Sequence, residues 1–291
     1  MRTTQHAQSV PAVTAKRLKY LSSALSLALL LFPLAMPSLA AYRRPRNARP
    51  PSTATSTSGA RNGGAINGGA IAQNGLQLTL LAPQQHVGQS QSTHPTLEWF
   101  IPVENELQGE LQIYEITEAD GTDGLQSSFQ RVLNSPYTFT SEQGLMSFTL
   151  PAEMEGLKPN TNYIWQVLLR YGPRPSDIFM VRSQIEIIEN ASPTAQLTTT
   201  QQIATEIEQL SEAGLWYDAI ALISQLPHYE ATLQRNTLLL ELADIEAADT
   251  LPTESENELT NSEETVHSQA LRQITEWQSN EVSQHGLGQA L

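Results

Sequence analysis

Two histidines, His86 and His94, flank Gly88 in a polar stretch of the chain. Imidazoles in such a loop are metal donors, but a metal site needs three or four ligands. Glu98 is the first acidic residue in the whole sequence, so no carboxylate near this loop completes a set. The pair is read as hydrogen-bonding groups of a fixed loop. Glu118, Asp120 and Asp123 alternate with Gly121 and Gly124 and offer oxygen ligands for calcium. The segment lacks the third ligand position and the closing bidentate glutamate of an EF-hand loop, and is read as a turn between strands. No Gly-x-Ser-x-Gly elbow is present. The Gly-Gly pairs at Gly63 and Gly68 follow no strand and make no phosphate cradle. Scattered carboxylates near the C-terminus form a solvated face, not a general acid and base. No catalytic, cofactor-binding or metal-ligating residue is assigned.

What does stand out is a recognition pattern. Val266, Ala270, Ile274 and Trp277 recur at four, four and three residues, with Leu271 beside them. This predicts a short amphipathic helix over residues 266–278. It either packs back on the body or docks on a partner as it folds. These five residues are the candidate docking residues. A second set, Tyr114, Tyr137 and Phe139, consists of aromatics of the predicted sandwich that would bind a sugar if exposed, and each is otherwise core.

Charge and composition bound the setting of these residues. Net charge is −14, but nine of the sixteen Lys and Arg precede Glu98, and all thirty acidic residues lie from Glu98 onward. An acidic body argues against nucleic-acid binding. With no cysteine there are no disulfides, thiolate metal sites or lipidated cysteine anchor. Lys16, Arg17 and Lys19 precede an apolar run over 21–34, and Ser38-Leu39-Ala40 is a small-x-small site. Residues 1–40 are therefore read as a secretory signal cleaved after Ala40, with an uncleaved anchor as the alternative. The protein is expected in the periplasm or outside the cell, and at a membrane only through this segment.

Residues 41–75 read as a disordered basic linker rich in Gly, Ser and Pro. Its five arginines either touch an anionic surface or lie in a solvated spacer. Residues 76–189 read as an all-β sandwich of about seven strands: 76–82, 96–101, 110–116, 128–133, 145–150, 161–169 and 179–188. Leu97, Trp99 and Ile101 share one face of the second strand; Tyr163, Trp165, Val167 and Leu169 share one face of the sixth. Leu157, Pro159, Thr161 and Tyr163 lead into that strand like the tyrosine corner of immunoglobulin and fibronectin type III sandwiches.

Residues 190–199 form a polar hinge, in which the sequon at Asn190 is given little weight. A small all-α segment follows over 200–249. Thr199 with Gln202 fits a capping box, Gly214 ends the first helix, and stripes at Trp216, Ala219, Ile220 and Ile223 and at Leu233 to Ala243 mark two more. Residues Ala213 to Ala219 resemble the inter-helix corner of a tetratricopeptide repeat. One repeat is not a free-standing array, so the unit packs on the sandwich or is completed by a partner. Residues 250–291 are expected to be an acidic disordered tail around the 266–278 helix.

Four stretches in order, 81–89, 92–102, 163–167 and 212–219, resemble the cyanobacterial family catalogued as domain of unknown function 928. The resemblance covers about residues 76–247. It implies an exported cyanobacterial protein and brings no activity, cofactor or site residue. The resulting expectation is a non-enzymatic interaction or scaffold module of the cell envelope with a protein partner and no cofactor. A glycan- or small-ligand-binding sandwich is the alternative, and an enzyme with an unrecognised site the least supported.

Overall fold

Period-two alternation broken by Gly, Pro and Asn gives short strands up to residue 187, and a 3.6-residue period gives helices from residue 200. A computed structural model describes residues 42–52, 57–58, 72–73, 76–117, 128–133, 136–189, 199–249 and 265–288. Its strands are β1 (Thr57–Ser58), β2 (Ala72–Gln73), β3 (Leu76–Gln77), β4 (Thr79–Leu80), β5 (Gly88–Ser90), β6 (Thr96–Ile101), β7 (Gln108–Thr117), β8 (Ser128–Arg131), β9 (Tyr137–Thr140), β10 (Gly144–Thr149), β11 (Thr161–Arg170) and β12 (Ile178–Ile187). The helices are α1 (Thr200–Glu212), α2 (Trp216–Ile223), α3 (His228–Ala248) and α4 (Val266–Gly288).

One sheet runs β1-β12-β11-β7-β8, with β5 added parallel to β12 and β9 antiparallel to β7. A second runs β10-β6-β4, and β2 and β3 make a two-stranded third. Inner side chains of the first two meet in one core, where Trp99, Leu111, Ile113, Tyr163, Trp165, Val167 and Leu169 are buried. The tyrosine corner is present: Tyr163 accepts the Lys158 N–H at 2.8 Å through its hydroxyl, and Asn160 takes φ 54° in the turn. The architecture is thus a β-sandwich followed by a helical segment.

Strand β6 carries the third layer. All six of its residues are buried, although strict alternation would leave one face in water. Leu97, Trp99 and Ile101 enter the core as predicted. The opposite face, with Glu98 and Phe100, is covered by helices: Arg235 of α3 reaches Glu98, and Trp277 of α4 lies edge-on to Phe100 at 5.1 Å. The helical unit packs on the sandwich. Its capping box forms in both directions between Thr199 and Gln202, and Gly214 takes φ +80° at the end of α1.

Several expectations change. The predicted 76–82 strand splits, because β3 pairs with β2 while β4 pairs with β6. The polar loop holds β5, and β9 was hidden because three of its four residues are exposed. The last helix runs ten residues past 278, to Gly288. Residues 42–52, expected as disordered linker, lie along the body as an arm, with Tyr42 buried. The signal segment 1–40, Glu118–Gly124 turn, Gly63 and Gly68 pairs, the 190–198 hinge with its sequon, and the 250–264 part of the tail lie outside the described residues.

Candidate functional site

A cluster of buried polar side chains lies where the helices, the arm and the 81–92 segment meet. The α1–α2 corner supplies three side chains in a row. Trp216 donates its indole N–H to the Leu81 carbonyl at 2.9 Å. The Tyr217 hydroxyl accepts from the Trp165 indole at 2.9 Å and donates to the Gln184 carbonyl at 3.2 Å. Asp218 receives the N–H groups of Gln91 and Ser92 and the Ser90 hydroxyl, at 2.8 to 3.2 Å. Burial raises the pKa of Asp218 against these donors. The inter-helix corner at Ala213 to Ala219 is therefore turned into the sandwich.

Among the described residues, two ion pairs lie below the surface. Arg235 makes a two-pronged contact with Glu98, Nε to Oε2 at 2.9 Å and Nη2 to Oε1 at 3.0 Å, with both side chains buried. Glu246 of α3 accepts from the Gln84 N–H at 2.6 Å and meets His267 Nδ1 at 2.6 Å. Burial pushes the Glu246 carboxyl up, but the His267 charge and the hydrogen bonds carry it below the ordinary carboxylate value.

The arm is fixed by Tyr42. Its ring stands edge-on to Trp216 at 4.9 Å, its hydroxyl shares a 2.7 Å hydrogen bond with His86 Nε2, and its N–H donates to Glu241. Arg43, Arg44 and Arg49 pair with Glu212, Asp249 and Glu186. Those three arginines meet the acidic body. Burial lowers the pKa of His86 to about 4, and Arg44 adds to the shift. His94 is held apart, between the Thr93 hydroxyl and the Met154 carbonyl. Among the described residues no three or more His, Asp or Glu come together where a metal ion would be held.

Of the candidate docking residues, Ala270, Leu271 and Ile274 are buried against the body, Trp277 is partly buried against Phe100, and Val266 is 60% exposed. The stripe thus packs on its own chain. Among the sugar-stacking candidates, Phe139 lies in the core beside Trp99, Tyr114 carries Arg131 over its ring, and Tyr137 is exposed. A cleft of about 420 Å³ lies between the arm and the first sheet, lined by Arg49, Ser52, Glu115, Asn160, Asn162 and Gln184. Another of about 360 Å³ is lined by Glu115, Arg131, Met154, Lys158 and Tyr163. Neither lining includes a histidine.

Glu98, Arg235, Glu246, His267 and Tyr42 were missed as a set. The available signal was a lone charge inside an apolar run: Glu98 between Leu97 and Trp99, and Glu246 following Ile245. No described helix is long and apolar enough to cross a membrane.

A family model described as Domain of Unknown Function (DUF928) matches residues 57–252. No curated protein matches the chain. Among solved structures, the third fibronectin III domain of the human KIAA0343 protein is similar at 17% identity, covering 43% of this chain and 94% of that one, with a TM-score of 0.23. The arm at 42–52 and helix α4 both lie outside the family match.

Proposed function

Because the chain belongs to the family described as Domain of Unknown Function (DUF928), whose membership brings no reaction, we propose from the geometry that it is a non-enzymatic contact module. It serves a cyanobacterial cell envelope, is exported by the leader at residues 1–40, and meets a protein partner through its helical layer. The observation that carries this is one face of α3. Tyr229, Leu233 and Leu240 recur there at four and seven residues, and are 63%, 46% and 38% exposed. Leu238, Leu239 and Leu242 of the same helix are buried. Large apolar groups aligned in water mark contact surfaces better than single exposed leucines do.

The buried ionisable groups support the same reading, since Glu98, Arg235, Asp218, Glu246 and His267 are engaged with backbone groups and with each other across layers. The tetratricopeptide-like character of α1 and α2 belongs with this proposal, as does a docking role for Val266, Ala270, Leu271, Ile274 and Trp277. The acidic body favours a protein partner over nucleic acid. The sugar-binding alternative keeps Tyr137 as its exposed aromatic.

The test is affinity capture from envelope extract with tagged protein spanning residues 41–291, beside the triple variant Tyr229→Ser, Leu233→Ser, Leu240→Ser. One protein retained by the parent at high salt and lost from the variant is the expected outcome. Equal capture by both, with both folded by circular dichroism, sinks the α3 face as the contact.

A further inference from the structure

His267 stands in the first turn of α4 with both ring nitrogens engaged. Nδ1 is 2.6 Å from Glu246 Oε2 on α3, and Nε2 is 3.1 Å from the Leu80 carbonyl on β4. A carboxylate and a carbonyl both accept hydrogen bonds. The ring satisfies both only with a hydrogen on each nitrogen, that is, as the imidazolium. The backbone N–H groups of Gln84 and Gln85 both point at the other oxygen of Glu246 and favour its carboxylate form, which accepts at both oxygens. The Glu246 side chain is fully buried and that of His267 is 10% exposed. One proton therefore joins three elements: α4, α3 and the edge of the second sheet.

The surroundings leave Glu246 as the charge that governs this ring. The other charged and titratable groups nearby are His86 after β4, Tyr42 and Arg44 in the arm, and Glu241 and Asp249 on α3 and at its end. Arg44 and Asp249 pair with each other at 2.7 Å, Glu241 accepts from Tyr42, and His86 shares its bond with Tyr42. Farther along α4, Arg272 pairs with Asp244. Burial opposes the charge on His267, but Glu246 and the Leu80 carbonyl carry its pKa above the ordinary histidine value.

We infer that Glu246 and His267 form a pH-operated clasp on α4. With the imidazolium in place the helix is docked. When the ring gives its proton to solvent, a buried carboxylate loses its counter-charge, and α4 leaves the second sheet with Leu271, Ile274 and Trp277 turned outward for a partner. Helix α4 lies outside the family-matched residues. The sign follows from linkage. A raised folded pKa stabilises docking fully below the unfolded value of about 6.5, and that stabilisation is lost as pH rises through the folded value. The use of the freed stripe rests on the protein-contact reading above; the clasp itself does not.

Hydrogen exchange by mass spectrometry on the full chain, corrected for the intrinsic pH dependence of exchange, tests it from pH 6 to pH 9. Peptides from 266–284 are expected to lose at least tenfold in protection as pH rises, while β11 and α2 hold theirs. His267→Gln is expected to show low protection of 266–284 throughout, with no pH step. Nitrogen NMR of the His267 ring supplies a second measurement that needs no variant: both nitrogens should carry hydrogen at pH 6. A pH-independent protection of α4, or a neutral ring in the docked state, overturns the clasp. A clean pH step with no captured partner sinks the contact reading and leaves the clasp standing; capture without a step does the reverse.

Discussion

The arm and α4 attach to the same body in opposite ways. Both lie outside the family-matched residues, both reach α3, and each uses a buried histidine. His86 faces a phenol and has no hydrogen-bond partner for Nδ1 among the described residues, so burial wins and the ring stays neutral. His267 faces a carboxylate and a carbonyl, so the charge wins over burial. The histidine's charge is set by its partner's chemistry, not by its depth. The practical consequence is that acid loosens the arm and alkali loosens the helix.

The body that both attachments share is broken most severely by removing the Arg235 guanidinium. Arg235→Ala leaves Glu98 buried without a counter-charge, and about 3–5 kcal/mol of stability should be lost by urea titration at pH 7. A loss under about 1 kcal/mol would mean that the helical layer is not held through this pair. Next in size is the acid limb. The folded pKa of His86 is depressed to about 4. Its contribution is therefore present above the unfolded value of about 6.5 and is lost as pH falls toward 4, by up to about 3 kcal/mol at about 1.4 kcal/mol per unit. Exchange of residues 42–52 should rise over that window while that of 266–284 does not. If both rise together, the two attachments are not independent.

Two glycines sharpen the comparison. Gly214 has φ +80°, and a Cβ there would lie 2.6 Å from Pro45 Cγ and 2.9 Å from its backbone nitrogen. Gly144 has φ +103°, and a Cβ there would lie 3.1 Å from Trp277 Cη2. Each alanine variant should cost about 1–2 kcal/mol or more through backbone strain alone. Gly214→Ala should also free the arm, because a proline backbone cannot yield as an indole can. Gly144→Ala should leave the arm protected and shift Trp277 fluorescence. At the small end, Arg49→Ala removes an exposed pair with Glu186 and should change stability by no more than about 1 kcal/mol at low salt.

Much of the fold was legible because it is written locally. The turn at 157–160 and Tyr163 announce the corner, Thr199 and Gln202 the helix start, and Trp99 and Trp165 their inner faces through simple alternation. The strand β9 was not legible, because three of its four residues are exposed and its partner lies in another hairpin. Nor was the junction. Glu98 and Arg235 are 137 residues apart, Tyr42 and His86 are 44 apart, and His267 reaches Leu80 across 187.

The stripe at 266–277 marks the same limit from the other side. Its spacing determined that a helix forms and which side chains share a face, since period and propensity act within a few residues. Whether that face meets its own body or another molecule is decided by what surface stands opposite, here Phe100, Gly144 and α3. Charge state follows the same rule. An isolated histidine titrates near 6.5, and only the partner brought to it by the tertiary fold moves His86 down and His267 up.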